Sequence, residues 1–159
     1  MHRWRKAFEL SVSEWLLILW AAIWFGVIEI GLRVLRLHIL IEKLDRCPPP
    51  DGTLVAQSDT VERFAYCIEL VSRLYPLEPT CLKKALVLYA LLTRKGLPAQ
   101  LWIGAAKSNA EQGAPIDYHA WLEHEGKVVL GAANLERYIP LYCFDRSQTG
   151  ASIQGQSVA

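Results

Sequence analysis

Pro79-Thr80-Cys81-Leu82-Lys83-Lys84-Ala85-Leu86-Val87-Leu88-Tyr89-Ala90-Leu91-Leu92-Thr93-Arg94-Lys95-Gly96 reads as one helix with both of its ends written into the chain. Proline is tolerated in a first turn, where its missing N–H has no intrahelical partner anyway. Arg94 and Lys95 suit the negative end of the helix dipole, and Gly96 supplies the left-handed residue that commonly follows a helix. Almost every non-basic position between Cys81 and Gly96 is apolar, so the helix is expected at the centre of the fold. Its start can turn only Thr80 and Cys81 toward a cleft. A thiol there meets unpaired backbone N–H groups and the positive end of the dipole, both of which favour thiolate over thiol.

Working outward, Ser58-Asp59-Thr60 offers an N-cap for a preceding helix with Val61, Phe64, Ala65, Ile68, Val71 and Leu74 on one face, ended by Pro76. After Pro98 the texture changes to short β-like segments, 100–105 and 118–123, separated by a polar loop at 107–113. Glu125-Gly126 then makes a tight turn into Lys127-Val128-Val129-Leu130, which completes a hairpin. Helices first and antiparallel strands after define an α+β domain.

The chain begins differently. Four of its 6 tryptophans (Trp4, Trp15, Trp20, Trp24) precede residue 25, and Trp15 to Ile28 is an unbroken apolar run. Ser11 and Glu14 match a capping box, so a helix starts near residue 12. The run is shorter than the roughly 18 residues of a membrane span. Three readings stand: docking on the chain's own domain or a partner protein, lying at a membrane surface, or a true span. Basic residues on both flanks and the lack of a small-residue cleavage site argue against a signal peptide. From Leu32 the pattern turns amphipathic, and Pro48-Pro49-Pro50-Asp51-Gly52 stops it. The expected organisation is a hydrophobic helical arm at 1–50, a catalytic domain at 51–144 and a disordered tail at 145–159.

The 159 residues suffice for one domain with a substantial core, and a formal charge of +1 with no basic stripe makes nucleic acid an unexpected partner. Cys47, Cys67, Cys81 and Cys143 are widely spaced, without a C-x-x-C pair or histidines at zinc-finger intervals. We therefore expect reduced thiols in a cytoplasmic setting, with no metal and no cofactor. Cys67 and Cys143 read as packing residues.

Cys81 finds its natural companion in His119, on the strand His119-Ala120-Trp121. If Glu125-Gly126 is a two-residue turn, His119 lies opposite Ala132, and Leu130, Ala132 and Asn134 share its face. Asn134 is then the diagonal neighbour at about 7–8 Å between Cα atoms, close enough to orient the imidazole. Glu136 lies one step further and stands behind it. Glu123, four residues along the same strand, is about 13 Å away and is excluded. His124 beside the turn is expected to be exposed, and His2 and His38 belong to the arm. Asp117 and Tyr118 read equally well as groove lining and as loop polarity.

The ordered set Thr80 to Ala99, Ile103-Gly104, His119-Ala120-Trp121-Leu122-Glu123 and Tyr138-Ile139-Pro140-Leu141 resembles the stand-alone leader peptidase of lasso peptide biosynthesis. That B protein has a transglutaminase-like (papain-like) cysteine protease fold. The resemblance covers about residues 60–142. It implies Cys81 as nucleophile and His119 as base, in a triad that removes the leader from a ribosomally made precursor. The family's usual aspartate has no counterpart between His119 and Asp145, which leaves Asn134, then Glu136, in its place. The resemblance also implies a separate leader-recognition protein, with the apolar arm as its dock, and a macrolactam-forming cyclase acting on the freed amine.

Three rivals stay open. An acyl transferase on the same fold would pass the thioester to an amine instead of water. A non-catalytic scaffold would need no triad. A small membrane-anchored protein would rest on the Trp15 to Ile28 run alone.

Overall fold

The computed structural model describes residues 12–46, 58–76, 79–107 and 116–145. Four helices, α1 (Val12–Val34), α2 (Leu37–Asp45), α3 (Ser58–Leu74) and α4 (Cys81–Arg94), precede four strands. These are β1 (Gln100–Lys107), β2 (Ile116–His124), β3 (Lys127–Leu130) and β4 (Ile139–Asp145), in one antiparallel sheet of order β3-β2-β1-β4. The Ser11 end of the capping box, the proline run, the loop at 108–113 and the tail beyond Asp145 lie outside the described residues.

α4 is the axis of the core. Every residue from Ala85 to Thr93 is buried, because α1, α2 and α3 close on one side and the sheet on the other. Thr93 survives there because its hydroxyl donates back to the Tyr89 carbonyl at 2.8 Å. The buried Tyr89 hydroxyl donates to the Asp45 carboxylate at 2.6 Å and ties α2 to α4. α3 buries Val61, Phe64, Ala65, Ile68 and Val71 as its spacing predicts, but Leu74 is exposed in the last turn before Pro76.

Ala21, Trp24, Phe25 and Ile28 of α1 recur at helical spacing and join the same core cluster as α3 and α4. The core therefore crosses the expected division at residue 50. The amphipathic continuation after Leu32 is interrupted where Arg36 takes an extended backbone, and α2 restarts to bury Leu40, Ile41 and Leu44.

Two strand features depart from the sequence reading. β4 was not foreseen, since Pro140 weakens a strand pattern; at the sheet edge its missing N–H costs no ladder bond. His124, expected to be exposed, is buried, and its Nδ1–H donates to the Pro98 carbonyl at 2.6 Å. Alternation along β2 carries Ala120 and Leu122 into the core and leaves His119 and Trp121 on the opposite face of the sheet.

Candidate active site

Thr80 caps α4 by accepting the Lys83 N–H at 3.3 Å, which makes half-buried Cys81 the first helical residue. Packing of α4 on β2 puts the Cys81 Sγ 4.0 Å from the backbone carbonyl of Tyr118, the residue before His119. Helix start and strand thus meet as expected, although thiol and imidazole share no direct hydrogen bond. The S–H contact to Tyr118 is long and weak, so it does not commit the sulfur.

His119 is held by other groups. Its Nε2 lies 2.8 Å from the carbonyl oxygen of Gly131. A carbonyl can only accept, so Nε2 carries the proton and Nδ1 is left as the ring's basic nitrogen, without a partner among the described residues. The ring also stacks on Tyr138, with centroids 4.9 Å apart, and faces Trp121 at 6.3 Å. The Tyr138 hydroxyl donates to Asp117 Oδ2 at 2.8 Å. That bond, burial and the Asp117 charge raise the phenol above its ordinary value, and the charge of a Cys81 thiolate adds in the same direction. Sulfur and phenol are therefore within electrostatic reach of each other, and the imidazole stacks on the phenol ring.

Asn134 is not brought to this ring. The Glu125-Gly126 turn does have two residues, with His124 paired to Lys127 and Glu123 to Val128. A bulge then shifts the register so that Leu122 pairs with Leu130, and β3 ends there. One extra residue reverses the parity on which Asn134 depended. Gly131, at φ +80°, turns the chain across β2 and presents its carbonyl to His119 instead. Asn134 is exposed in a left-handed conformation at the start of a short 3-10 turn, Leu135–Arg137, which also holds exposed Glu136. Neither side chain hydrogen-bonds His119. Asn134→Ala is accordingly expected to leave turnover within about threefold of the unmodified chain, as surface changes away from specific contacts usually do. Steady-state kinetics on a precursor peptide would check this.

Sequence reasoning missed Gly131 and Tyr138. Gly131 carried one signal, a lone glycine closing an apolar strand. It is also sterically required, since an added Cβ would come within 2.8 Å of the Ala120 carbonyl and 3.0 Å of the Trp121 backbone. Gly104 does similar service on β1, where a Cβ would press on the Trp121 ring at 2.9 Å.

On the other side of α4, Lys83 pairs with Glu29 of α1 at 2.6 Å, and Arg33 approaches the same carboxylate at 3.0 Å. Chiefly through the Lys83 hydrogen bond, the Glu29 carboxyl stays below the usual range. Glu29, the acid near the C-terminal end of the apolar helix, thus fastens α1 to the turn that carries Cys81. Among the described residues, no group of three or more His, Cys, Asp or Glu side chains is placed to hold a metal ion. A groove of about 520 Å³ between α3 and β3 is lined by Glu62, Tyr66, Arg73 and Lys127, and contains neither Cys81 nor His119. Chemistry at the helix start, not cavity size, marks the candidate site.

A family model described as the transglutaminase-like superfamily matches residues 22–143. The chain belongs to this superfamily. The match begins inside α1 and ends inside β4, so it takes in α2, α3, α4 and the strands β1 to β3 with parts of α1 and β4, and the expected transglutaminase-like fold is established. Transglutaminase-like domains generally include cysteine peptidases and transglutaminases, which fits a thiol chemistry centred on Cys81. No curated protein and no solved structure matches the chain significantly.

Proposed function

We propose that this transglutaminase-like chain is a cysteine peptidase that removes the leader from a lasso peptide precursor. Two observations support it: the start of α4 sets Cys81 Sγ 4.0 Å from the backbone carbonyl of Tyr118, the residue before His119, and Nε2–H of His119 is committed to Gly131, which leaves Nδ1 as the nitrogen that can take a proton. In this reading the sulfur of Cys81 attacks the carbonyl carbon at the leader-core junction, and its proton passes to His119 Nδ1. Backbone N–H groups at the start of α4 steady the oxyanion. Collapse expels the core amine, which takes the proton from His119. Water, deprotonated by the same nitrogen, then releases the leader as a free acid and restores the thiol.

A separate leader-recognition protein would deliver the precursor, and a macrolactam-forming cyclase would consume the freed amine. Acyl transfer to an amine uses the same thioester and remains the second reading, because the His119 face of the sheet has no helix over it among the described residues. Mass spectrometry of a precursor incubated with the chain and a leader-recognition protein separates the two. A free-acid leader is the expected product; an amine adduct on the leader would assign the acyl transferase instead.

A further inference from the structure

α1 has two apolar faces, and the domain uses only one. The face formed by Ala21, Trp24, Phe25 and Ile28 is buried in the core. On the opposite side Leu16, Trp20, Ile23, Val27, Ile30 and Val34 are each between 46% and 75% exposed. They recur in alternating steps of four and three residues, so they align in one stripe about 27 Å long. An apolar stripe of that length is rare on a soluble surface and marks an interaction site.

Three observations decide what covers it. First, the stripe offers no hydrogen-bonding side chain except the Trp20 indole, whereas protein interfaces carry about one hydrogen bond per 100–200 Å². Second, basic residues outnumber acidic ones on both flanks: Arg3, Arg5 and Lys6 against Glu9 and Glu14 before it, and Arg33, Arg36, Lys43 and Arg46 against Glu29, Glu42 and Asp45 from Glu29 onward. A second copy, paired in either direction, would set one net-cationic end against another. Third, the inner face is fastened by charge, through the Glu29–Lys83 pair and through Arg94, whose guanidinium lies 5.7 Å from the Trp24 ring centre and reaches the near edge of the stripe at Trp20, 6.0 Å away. The helix is long and apolar enough to cross a membrane. Crossing would tear α1 from the core and carry Glu29 into hydrocarbon. Lying flat keeps both.

We infer that the exposed stripe of α1 seats the protein on an anionic lipid surface, with α1 in the plane of the headgroups. Apolar side chains enter the acyl boundary and the flanking arginines and lysines meet the lipid charges. Because α1 packs on α3 and α4, which cover the sheet face opposite His119, the imidazole side of the sheet turns away from the bilayer. The inference is independent of the peptidase reading.

The test is co-sedimentation of the full chain with vesicles of phosphatidylcholine containing phosphatidylglycerol, and with phosphatidylcholine alone. The chain is expected to pellet with the anionic vesicles and to be released by alkaline carbonate. Ile23→Glu/Val27→Glu, at exposed positions that leave the core intact, is expected to lower vesicle affinity at least tenfold with unchanged circular dichroism. Arg36→Glu is expected to lower affinity for the anionic vesicles about fivefold or more and to leave phosphatidylcholine unaffected. A chain that stays in the supernatant with both vesicles overturns the inference, as does carbonate-resistant pelleting, which would mean a span. Equally fatal would be a dimer, or a complex with a leader-recognition protein, that Ile23→Glu/Val27→Glu dissolves while vesicle binding is unchanged.

Discussion

Replacing Cys81 by alanine is expected to slow precursor cleavage by more than about 1,000-fold, the scale on which removing a covalent nucleophile acts. Only the Cys81 side chain supplies the sulfur, and its deletion at a half-buried helix start leaves little cavity, so the melting temperature should move by no more than a few degrees. The other described thiols make instructive controls. Cys67 is buried, and Cys143 has its thiol pushed up to about 11 by burial and by the charges of Asp145 and Glu123. A thiol so raised stays protonated near neutral pH and cannot replace Cys81 as nucleophile. Rates followed by mass spectrometry, with thermal melts on the same samples, measure both quantities. If Cys81→Ala processed the precursor within tenfold of the unmodified chain, the peptidase reading would fail and the scaffold would take its place.

The second large effect is expected at a residue with no side chain. Gly131→Ala must place a methyl group 2.8 Å from the Ala120 carbonyl while holding φ near +80°, so the chain has to shift away from β2. The left-handed backbone costs about 1–2 kcal/mol for a residue with a Cβ, and the contact adds to it. The Gly131 carbonyl moves with the backbone, and with it the group that fixes the His119 tautomer. Misplacement by about 1 Å can cost about 100-fold, so we expect kcat to fall by that order with little change in KM. Gly126→Ala separates strain from chemistry: its φ is +76°, yet an added Cβ meets nothing within 4 Å. It should lose comparable backbone stability and keep its turnover. Equal activity losses in the two variants would show that strain alone, and not the carbonyl, is responsible.

Legibility in the sequence followed the range of the interactions involved. The helix start near Thr80, the burial of Ala85 to Thr93, the stop at Gly96 and the two-residue turn at Glu125-Gly126 are set within a few residues of chain, and all were readable, although Pro79, read into the first turn, lies ahead of the Thr80 cap. His124 misled because a histidine beside a turn is usually solvated, while here the Pro98 carbonyl, distant in sequence, gives it a buried acceptor. Asn134 misled because parity is unforgiving. A single bulge in β3 reversed the parity just before the strand ended at Leu130, and no local residue announced it. β4 was hidden by Pro140, whose cost depends on whether its strand is central or at an edge.

By itself, the sequence determined the α+β order, the central helix and the pairing in prospect of Cys81 with His119, since periodicity, caps and turn residues are properties of short segments. Only the tertiary structure decided what orients His119. That group is the Gly131 main-chain carbonyl, which every residue possesses and no sequence can advertise. It also divided α1 into a buried face and an exposed one, because an apolar run names the surface that must leave water and not the partner that receives it.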